Sequence, residues 1–385
     1  MKNNSTFKTA SSDADGWAAI AKDLEEQLSE AVPANAENAC LGFIYVTAPL
    51  GNDLSSILTF LKQRTAIEDW IGTIGLGVCH GGDEYFDRPA AVAMIMTLPK
   101  NTFGVVPKFS EEVEEIPEGV RNWMKNAMPP FGVVHGDPTN GRIVELIENL
   151  SLEIENLTLE VPGFLVGGLT ASRGPASQVA GTLTDGGLSG VLFTPEIEVA
   201  TGLTQGCAPV GAVHRISESM DNIIMGLDDR PALEVFKEDI GELLARDLSR
   251  VEGYIHAAFP IEGSDMGDYL VRSLMGIDTE HGWLAVDRLV HSGDQVLFVR
   301  RDPASAEKDL RRMVEGLLKR LPEPPRAGLY FSCVARGPNL FRDEGYEAGI
   351  IAEILGDIPL IGFYGNGEIS NNRLYSYTGV LTLFL

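Results

Sequence analysis

The sequence predicts an α+β fold of two domains, each built from repeated β-α-β-β units whose mixed sheets are covered by helices. Two observations support this prediction. The chain has 385 residues, which is more than one ordinary hydrophobic core accommodates. In addition, one order of elements occurs three times: a β-rich run, a loop, an amphipathic helix, a second β run ending in glycines, and a third β run. Such repetition is typical of duplicated α+β layers.

A helical lead-in is predicted for residues 1–38. Over residues 14–31, Trp17, Ile20, Leu24 and Leu28 fall on one face of a helix. The polar, alanine-rich link "VPANAENA" then leads into the first strand. The first fifteen residues are polar and no apolar h-region follows, so the N-terminus does not read as a secretory signal.

The three copies of the repeat begin at "CLGFIYVTAPLGNDLSSIL", "FGVVHGDPTNGRIVELIENL" and "AGLYFSCVARGPNLF". Each predicted helix carries apolar residues on one side, and in the first two copies they follow the i, i+3, i+4, i+7 spacing of a helix lying on a sheet. These residues are Leu54, Ile57, Leu58 and Leu61 in the first copy, Ile143, Leu146, Ile147 and Leu150 in the second, and Tyr346, Ile350, Ile351, Ile354 and Leu355 in the third.

Further elements lie between the second and third copies. Strand-like runs at 211–216 and 222–227 precede the segment "RPALEVFKEDIGELLARDL", which predicts a helix with Leu233, Phe236 and Ile240 on one side. We place a domain boundary near Asp228, which divides the chain into domains at 39–228 and 229–385.

The charge balance argues against several partner classes. The chain has 55 acidic and 30 basic residues and a formal charge of -25, so it would repel phosphate backbones and anionic headgroups. No run reaches the roughly 20 apolar residues of a membrane-spanning helix. Neither nucleic acid nor a membrane is therefore expected as a partner, and the expected location is cytoplasmic.

Common cofactor motifs are absent from the sequence. It contains no Walker A loop, no G-x-G-x-x-G after a strand, no H-E-x-x-H and no G-x-S-x-G. Its four cysteines lie far apart without a CxxC pair, which argues against a zinc knuckle or a thioredoxin-like motif. No cofactor or bound metal is expected from these patterns.

Two segments could carry chemistry. In "GVCHGGDEYFDRP", Cys79 and His80 are adjacent, so on a straight strand they point to opposite faces, although Gly81 and Gly82 could bend it. The alternatives are a cysteine-dependent enzyme, with Cys79 or Cys333 as nucleophile, or a buried thiol beside a strand-end histidine. In "LYFSCVARGPNLF", Cys333 alternates onto an apolar face.

Arginines and one carboxylate follow predicted strands. Arg336 offers a planar fork of donors that suits an anion or carboxylate, or else it forms an ion pair with Glu368. Arg173 ends the strand "GGLTASR" and faces a ligand or solvent. In "IPLIGFYGNGEISNN", Gly365 and Gly367 shape a turn that precedes Glu368, which is either a ligand contact or the partner of Arg336.

The third copy, with "CVARGPNLF", "IPLIGFYGNGEIS" and a final "TGVLTLF", resembles the C-terminal half of FIST proteins. "QGCAPVGAVHRI" and "LDDRPALEVF" resemble the junction between the FIST N-terminal and C-terminal domains, and "GTIGLGVCHGGDEYFDRPAAVAM" resembles the glycine-rich strand pair of the N-terminal domain. The resemblance extends from about Ala39 to Leu385 and identifies the chain as a member of this family.

That resemblance implies a stand-alone bacterial sensory protein. Its ligand would be an amino acid or another small metabolite, and it would act on a separate signalling protein such as a histidine kinase or diguanylate cyclase. The alternative implied by the family is a haem-binding, nitric oxide-sensing protein with His80, His135 or His214 as the iron ligand. The candidate ligand-binding residues are Cys79, His80, Glu84, Arg173, Cys333, Arg336, Gly365, Gly367 and Glu368.

Overall fold

The structure of the protein is a computed structural model that describes residues 5–29, 37–158, 163–261 and 269–385. It divides into two compact units. Unit 1 comprises Met1–Gln205, Lys308–Leu374 and Thr378–Leu385, and unit 2 comprises Gly206–Glu307 and Tyr375–Tyr377. The units are bounded differently from the predicted segments 39–228 and 229–385, because unit 2 is inserted within the third repeat. Most of the predicted alanine-rich link lies outside the described residues.

The first repeat occupies the N-terminal part of unit 1. Its elements are β1 (Thr6–Ser12), α1 (Trp17–Leu28), β2 (Asn38–Thr47), a 3-10 turn (Ala48–Asp53), α2 (Leu54–Thr65), β3 (Trp70–Gly75), β4 (Gly77–His80), β5 (Asp83–Phe86) and β6 (Ala91–Pro99). In α1 the predicted face is buried except at Trp17, which is 36% exposed.

The second repeat has the same order of α-helices and strands. Its elements are β7 (Phe103–Phe109), a 3-10 turn (Val113–Glu115), α3 (Glu118–Ala127), β8 (Phe131–Gly136), α4 (Ile143–Thr158), β9 (Phe164–Leu169), β10 (Gln178–Ala180), β11 (Thr182–Thr184) and β12 (Leu188–Phe193).

The third repeat begins with β13 (Val199–Gln205) and is interrupted by the elements of unit 2. These are β14 (Cys207–Met220), β15 (Ile223–Leu227), β16 (Arg230–Pro231), α5 (Ala232–Ala245), a 3-10 turn (Leu248–Arg250), β17 (Ile255–Pro260), β18 (Tyr269–Asp278), β19 (Trp283–Val286) and β20 (Gln295–Arg301). The third repeat then resumes with α6 (Pro303–Arg320), β21 (Ala327–Cys333), α7 (Pro338–Phe341), α8 (Tyr346–Leu355), β22 (Leu360–Gly365), β23 (Glu368–Asn371), β24 (Arg373–Tyr375) and β25 (Thr378–Phe384).

The three sheets of unit 1 share one topology. In each repeat the strand before the α2-, α4- or α8-type helix pairs in parallel with the strand after it, as β2 does with β3, β8 with β9, and β21 with β22. The last strand of each repeat pairs antiparallel on the other side, and the first strand of the repeat follows it, in the orders β1-β6-β2-β3, β7-β12-β8-β9 and β13-β25-β21-β22. The predicted α+β fold of repeated β-α-β-β units is therefore confirmed.

Each repeat also contributes a short hairpin to the sheet of another repeat. The hairpin β4–β5 of the first repeat pairs with β22 of the third, and β10–β11 of the second pairs with β3 of the first. The hairpin β23–β24 of the third repeat pairs through β23 with β9 of the second. No sheet of unit 1 is completed by the strands of its own repeat, so the three repeats depend on one another.

Aromatic rings from the three repeats meet at the centre of unit 1. Phe363 lies 5.0 Å from Tyr45, 5.6 Å from His135 and 5.7 Å from Phe331 between ring centroids. Phe363 pairs with Phe331 in the third sheet, and Gly168 pairs with His135 in the second sheet. Phe363 and Gly168 are therefore equivalent positions of two repeats. A Cβ at Gly168 would stand 3.1 Å from Phe363 Cζ. Phe363 of the third repeat therefore fills the space that a side chain at the equivalent position of the second repeat would occupy. Gly168 stands at that position and leaves room for the ring.

Helices cover the outer faces of these sheets, as predicted. Helices α1 and α2 bury Leu24 and Leu58 against the first sheet, and α4 buries Leu146 against the second. Helices α6 and α8 bury Val314 and Ile351 against the third. Each sheet thus has apolar side chains on both faces.

Unit 2 is built around one sheet that closes on itself. Its strand order is β14-β20-β17-β18-β19-β15-β16, and β14 also pairs with β15. Helix α5 packs on this sheet through Leu233, Phe236 and Ile240, as the sequence predicted, and the Phe236 ring lies 4.7 Å from that of Phe298. Across both units, no described helix has the length and apolar character needed to cross a membrane.

Replacing Phe363 with alanine should strongly destabilise unit 1. The substitution leaves a cavity where the three repeats meet, and we expect a loss of about 3–5 kcal/mol in the free energy of unfolding, measured by urea denaturation. Leu152→Ala is the control, because Leu152 is 54% exposed and its truncation should cost no more than about 0.5 kcal/mol. Equal costs for the two variants would contradict this account of the core.

Candidate functional site

A buried ion pair lies beyond the end of β21 in the third repeat. Arg336 and Glu347 are both fully buried. Arg336 Nε donates to Glu347 Oε1 at 2.6 Å, and its Nη2 lies 2.5 Å from the same oxygen. The Tyr330 and Ser332 hydroxyls and the Gly337 amide also donate to this carboxylate. The charged pair is thus held by hydrogen bonds on both carboxylate oxygens.

The sequence patterns do not predict the burial of Glu347. Glu347 precedes Ile350 and Ile351 by three and four residues, so helical spacing places its side chain on the same buried face of α8. Tyr346, predicted on that face, is instead 38% exposed. The signal for this burial in the sequence is a carboxylate that falls among the apolar residues on the buried face of α8.

Electrostatics keep Arg336 charged. Burial alone would lower the pKa of Arg336, but the Glu347 carboxylate outweighs it and raises that pKa above its ordinary value. Burial and the same carboxylate raise the pKa of the Tyr330 hydroxyl, which therefore remains a donor. The cluster is consequently a buried guanidinium charge beside the Glu347 carboxylate, to which a neutral phenol also donates.

Glu84 connects the hairpin of the first repeat to the third. Its carboxylate accepts hydrogen bonds from the Gly345 amide at 3.0 Å and the Ala348 amide at 2.8 Å, at the start of α8. Helix α8 has no side-chain cap from its own N-cap residue, so Glu84 satisfies amides that would otherwise be unpaired. Burial and the nearby Glu347 raise the pKa of Glu84 despite these bonds.

Cys79 and His80 occupy opposite sides of β4. Cys79 is buried under α8, and burial together with Glu84 and Glu347 raises the pKa of its thiol well above the ordinary value. His80 is half-buried, and its Nε2 lies 3.1 Å from Thr9 Oγ1. Cys79 is therefore a neutral thiol whose neighbour in sequence faces another strand, which is the arrangement expected for the structural alternative.

Glu368 begins β23, and its interaction with Arg336 is indirect. Its Oε2 accepts from the Thr378 hydroxyl at 2.7 Å and the Thr378 amide at 3.2 Å. Burial raises the pKa of Glu368 to about 8, although Thr378 and Arg336 oppose this shift. Among the described ion pairs, Arg336 pairs with Glu347 and not with Glu368. The expected ion pair between Arg336 and Glu368 is therefore wrong.

The glycine turn before Glu368 joins the third repeat to the second. Gly365 lies opposite Cys333 in the sheet, and both are buried. A Cβ at Gly365 would come within 2.5 Å of the Leu169 carbonyl, and Gly367 has a φ of 148°. Both positions therefore need glycine for close approach or backbone conformation.

Arg173 lies apart from this buried cluster, at an open cavity of about 250 Å³. The cavity is lined by residues that follow the ends of four strands: Ala48, Pro49, Leu76, Asp87 and Arg173. Arg173 Nη2 lies 3.3 Å from Asp87 Oδ1, and their side chains are 80% and 83% exposed. The cavity thus has apolar walls and one charge of each sign.

The three histidines considered as haem ligands lie in different surroundings. His80 contacts Thr9, as described above. His135 is fully buried beside Tyr45 and Phe363, and burial lowers its pKa to about 3. His214 belongs to unit 2 and contacts Asp228 and Asp239. Within the described ranges, no group of three or more His, Cys, Asp or Glu side chains is arranged to hold a metal ion.

Comparison with known families assigns both halves of the chain. Residues 40–230 match the FIST N domain and residues 232–371 match the FIST C domain. The chain belongs to the FIST family. FIST domains are generally taken as small-ligand-sensing modules of signal transduction.

Relatives occur in bacteria and in animals. An uncharacterized protein of Mycobacterium tuberculosis is 34% identical over 254 residues, which cover 61% of this chain and 64% of that protein. An uncharacterized protein of Mycobacterium bovis is 30% identical over 248 residues with the same coverage. F-box only protein 22 of Homo sapiens is 33% identical over 81 residues, or 21% of this chain and 19% of that protein. The chain therefore spans 64% of the length of the mycobacterial relatives.

Glu347→Gln should be strongly destabilising, because it leaves the Arg336 charge buried without a counter-charge. We expect a loss of about 3–5 kcal/mol in the free energy of unfolding, and the double variant Arg336→Met, Glu347→Leu should cost less than the sum of its single changes. The exposed pair Arg230–Glu238 is the control, because Glu238→Gln should cost no more than about 1 kcal/mol. A cost for Glu347→Gln as small as that of the control would refute the buried-pair assignment.

The stability of the protein should depend on pH through Glu368. The folded state retains this proton up to about pH 8, whereas the ordinary pKa is 4.5. This contribution to stability is complete below the ordinary pKa and is lost as pH rises through the folded pKa. Glu368→Gln should therefore flatten the decline of unfolding free energy between about pH 5 and pH 8, measured by urea denaturation. Parallel pH curves for the two proteins would show that Glu368 does not titrate in this way.

Proposed function

We propose that this protein is a cytoplasmic small-ligand sensor whose ligand, an amino acid or another small metabolite, binds in the cavity between Asp87 and Arg173. The observation that carries the proposal is the combination of opposite charges and apolar walls in one cavity at the strand ends. We further propose that it signals through a separate protein, such as a histidine kinase or a diguanylate cyclase.

The position of the cavity supports ligand binding. Ala48 and Leu76 follow the ends of the parallel strands β2 and β3. Ligands of open α/β sheets bind outside the carboxyl ends of parallel strands, where the loops diverge. The volume of about 250 Å³ lies below the roughly 300–1,000 Å³ of sites for drug-sized ligands, so it suits a small metabolite.

The charges of the cavity suit a zwitterion. The Arg173 guanidinium can bind a carboxylate through two parallel N–H donors, and the Asp87 carboxylate can accept from an ammonium group. Because both side chains are mostly exposed, their mutual ion pair is weak. A ligand carrying both charges can replace that contact with two charge-assisted hydrogen bonds, while Pro49 and Leu76 contact its apolar part.

Thermal-shift measurements against amino acids, small organic acids and haemin test this proposal. A zwitterionic ligand should raise the melting temperature of the unmodified protein, because it binds only the folded state, with a stabilisation of about 2.7 kcal/mol at 100 times its dissociation constant. Arg173→Ala should abolish the shift. Asp87→Asn should weaken zwitterions more than simple carboxylates, because only zwitterions need the Asp87 charge.

The matched control is Arg246→Ala, because Arg246 forms an exposed ion pair with Glu242 on α5, outside the cavity. It should leave every shift unchanged. An undiminished shift in Arg173→Ala would place the ligand elsewhere, and no shift with any amino or organic acid would overturn the proposal. A shift with haemin alone, accompanied by a Soret band, would favour the haem alternative.

A further inference from the structure

A histidine in unit 2 is held between two carboxylates that come from different elements. His214 Nδ1 lies 2.7 Å from Asp228 Oδ2, and its Nε2 lies 2.8 Å from Asp239 Oδ2. His214 lies on β14, Asp228 in the turn between β15 and β16, and Asp239 on α5. The His214 and Asp239 side chains are each only 11% exposed. One imidazole thus connects three parts of unit 2.

The two short contacts fit an imidazole in which both ring nitrogens carry a proton. A neutral imidazole has one N–H donor and one acceptor nitrogen, whereas the imidazolium has two donors. A carboxylate only accepts, so in the neutral ring one nitrogen lone pair would face a carboxylate oxygen at less than 3 Å. The observed geometry is therefore complementary to the imidazolium.

The surrounding backbone depends on the same contacts. The other Asp228 oxygen accepts from the Arg215 amide at 2.9 Å, and the Asp228 amide donates to the Arg215 carbonyl at 3.0 Å. Asp228 and Asp229 both have positive φ values, 49° and 61°, which are unfavourable for residues other than glycine. The pairing of β14 with β20 shifts register between Val210 and His214. The His214 imidazolium thus contacts an irregular part of the sheet, where β14 shifts register and the Asp228 turn has positive φ values.

We propose that His214, Asp228 and Asp239 form a pH-sensitive latch that fastens β14 to α5 and to the β15–β16 turn when His214 is protonated and releases them when it is neutral. Through this latch the protein responds to pH as well as to its proposed ligand. The latch lies in unit 2, whereas the proposed ligand cavity lies in unit 1.

The charged groups around the latch favour its closed form. Glu238 on α5 interacts with His214, and Arg230 in β16 pairs with Glu238 and interacts with Asp228. The Arg215 side chain follows His214 on β14. The described groups that act directly on the imidazole are therefore carboxylates, and Arg230 is itself paired with Glu238.

The direction of the pH dependence follows from these contacts. Burial lowers the pKa of His214, but the hydrogen bonds and charges of Asp228 and Asp239 outweigh it, so the pKa is raised above its ordinary value of 6.5. The latch therefore contributes its full stability below pH 6.5 and loses it as the pH rises through the raised pKa. The pKa of Asp228 is lowered, so that carboxylate stays charged until the solution is strongly acidic.

Two measurements on the full chain test the latch. Histidine-selective NMR should show His214 titrating above the ordinary value of about 6.5, with Asp239→Asn lowering the midpoint. Hydrogen exchange, corrected for its intrinsic pH dependence, should show residues 207–220 and 232–245 losing protection as the pH rises above the ordinary value of 6.5 and through the raised pKa of His214. His214→Gln, which cannot titrate, should make the protection of these segments independent of pH over that range.

His281→Gln is the matched control, because His281 contacts a single carboxylate, Asp278, and its side chain is 54% exposed. It should leave the pH dependence of both segments unchanged. A His214 midpoint at or below the ordinary value would overturn the proposal, and so would equal pH dependence in the unmodified protein and in His214→Gln. The NMR titration uses the unmodified protein, so a folding defect in a variant does not remove the test.

Discussion

Backbone hydrogen bonding between repeats is the constraint on which the rest of unit 1 depends. Each hairpin leaves its own repeat and extends the sheet of another, so every sheet needs two repeats and the three sheets together need all three. The pairing also brings β2, β8 and β21, the second strand of each repeat, together around Phe363. The loops that follow β2, β3, β5 and β9 lie close together, which is how residues distant in sequence come to line one cavity.

The same exchange explains where the buried charges lie. Strand β5 reaches the third repeat only because its hairpin pairs with β22. Glu84 within that strand satisfies the amides of α8, and Asp87 directly after it lines the open cavity. Between them, the Phe86 ring lies 4.6 Å from that of Tyr364. One four-residue strand therefore borders both the charged interior and the proposed ligand site.

The sequence alone predicted the repeated units because helical periodicity and glycine-rich strands are local signals. It did not reveal the hairpin exchange, because β4 and β10 are only four and three residues long and nothing local specifies a distant partner. The sequence places Arg336 and Glu368 among the candidate ligand contacts or ion-pair partners, and the structure buries both, whereas the sequence does not single out Glu347, which lies within an apolar stripe. Arg173 stands among the candidate ligand-binding residues, whereas Asp87 lies within the motif "GVCHGGDEYFDRP" without being singled out, because its partner Arg173 is 86 residues away in the chain.

The place of unit 2 within the third repeat has an evolutionary consequence. Unit 2 stands between β13 and α6, where the first repeat connects β1 to α1 through residues 13–16 and the second connects β7 to α3 through residues 110–117. Exposed connections of this kind are where proteins accept inserted domains. The three repeats thus have equivalent connections after their first strands, and each is a position where a domain can be inserted. In this chain the connection of the third repeat holds a whole compact unit.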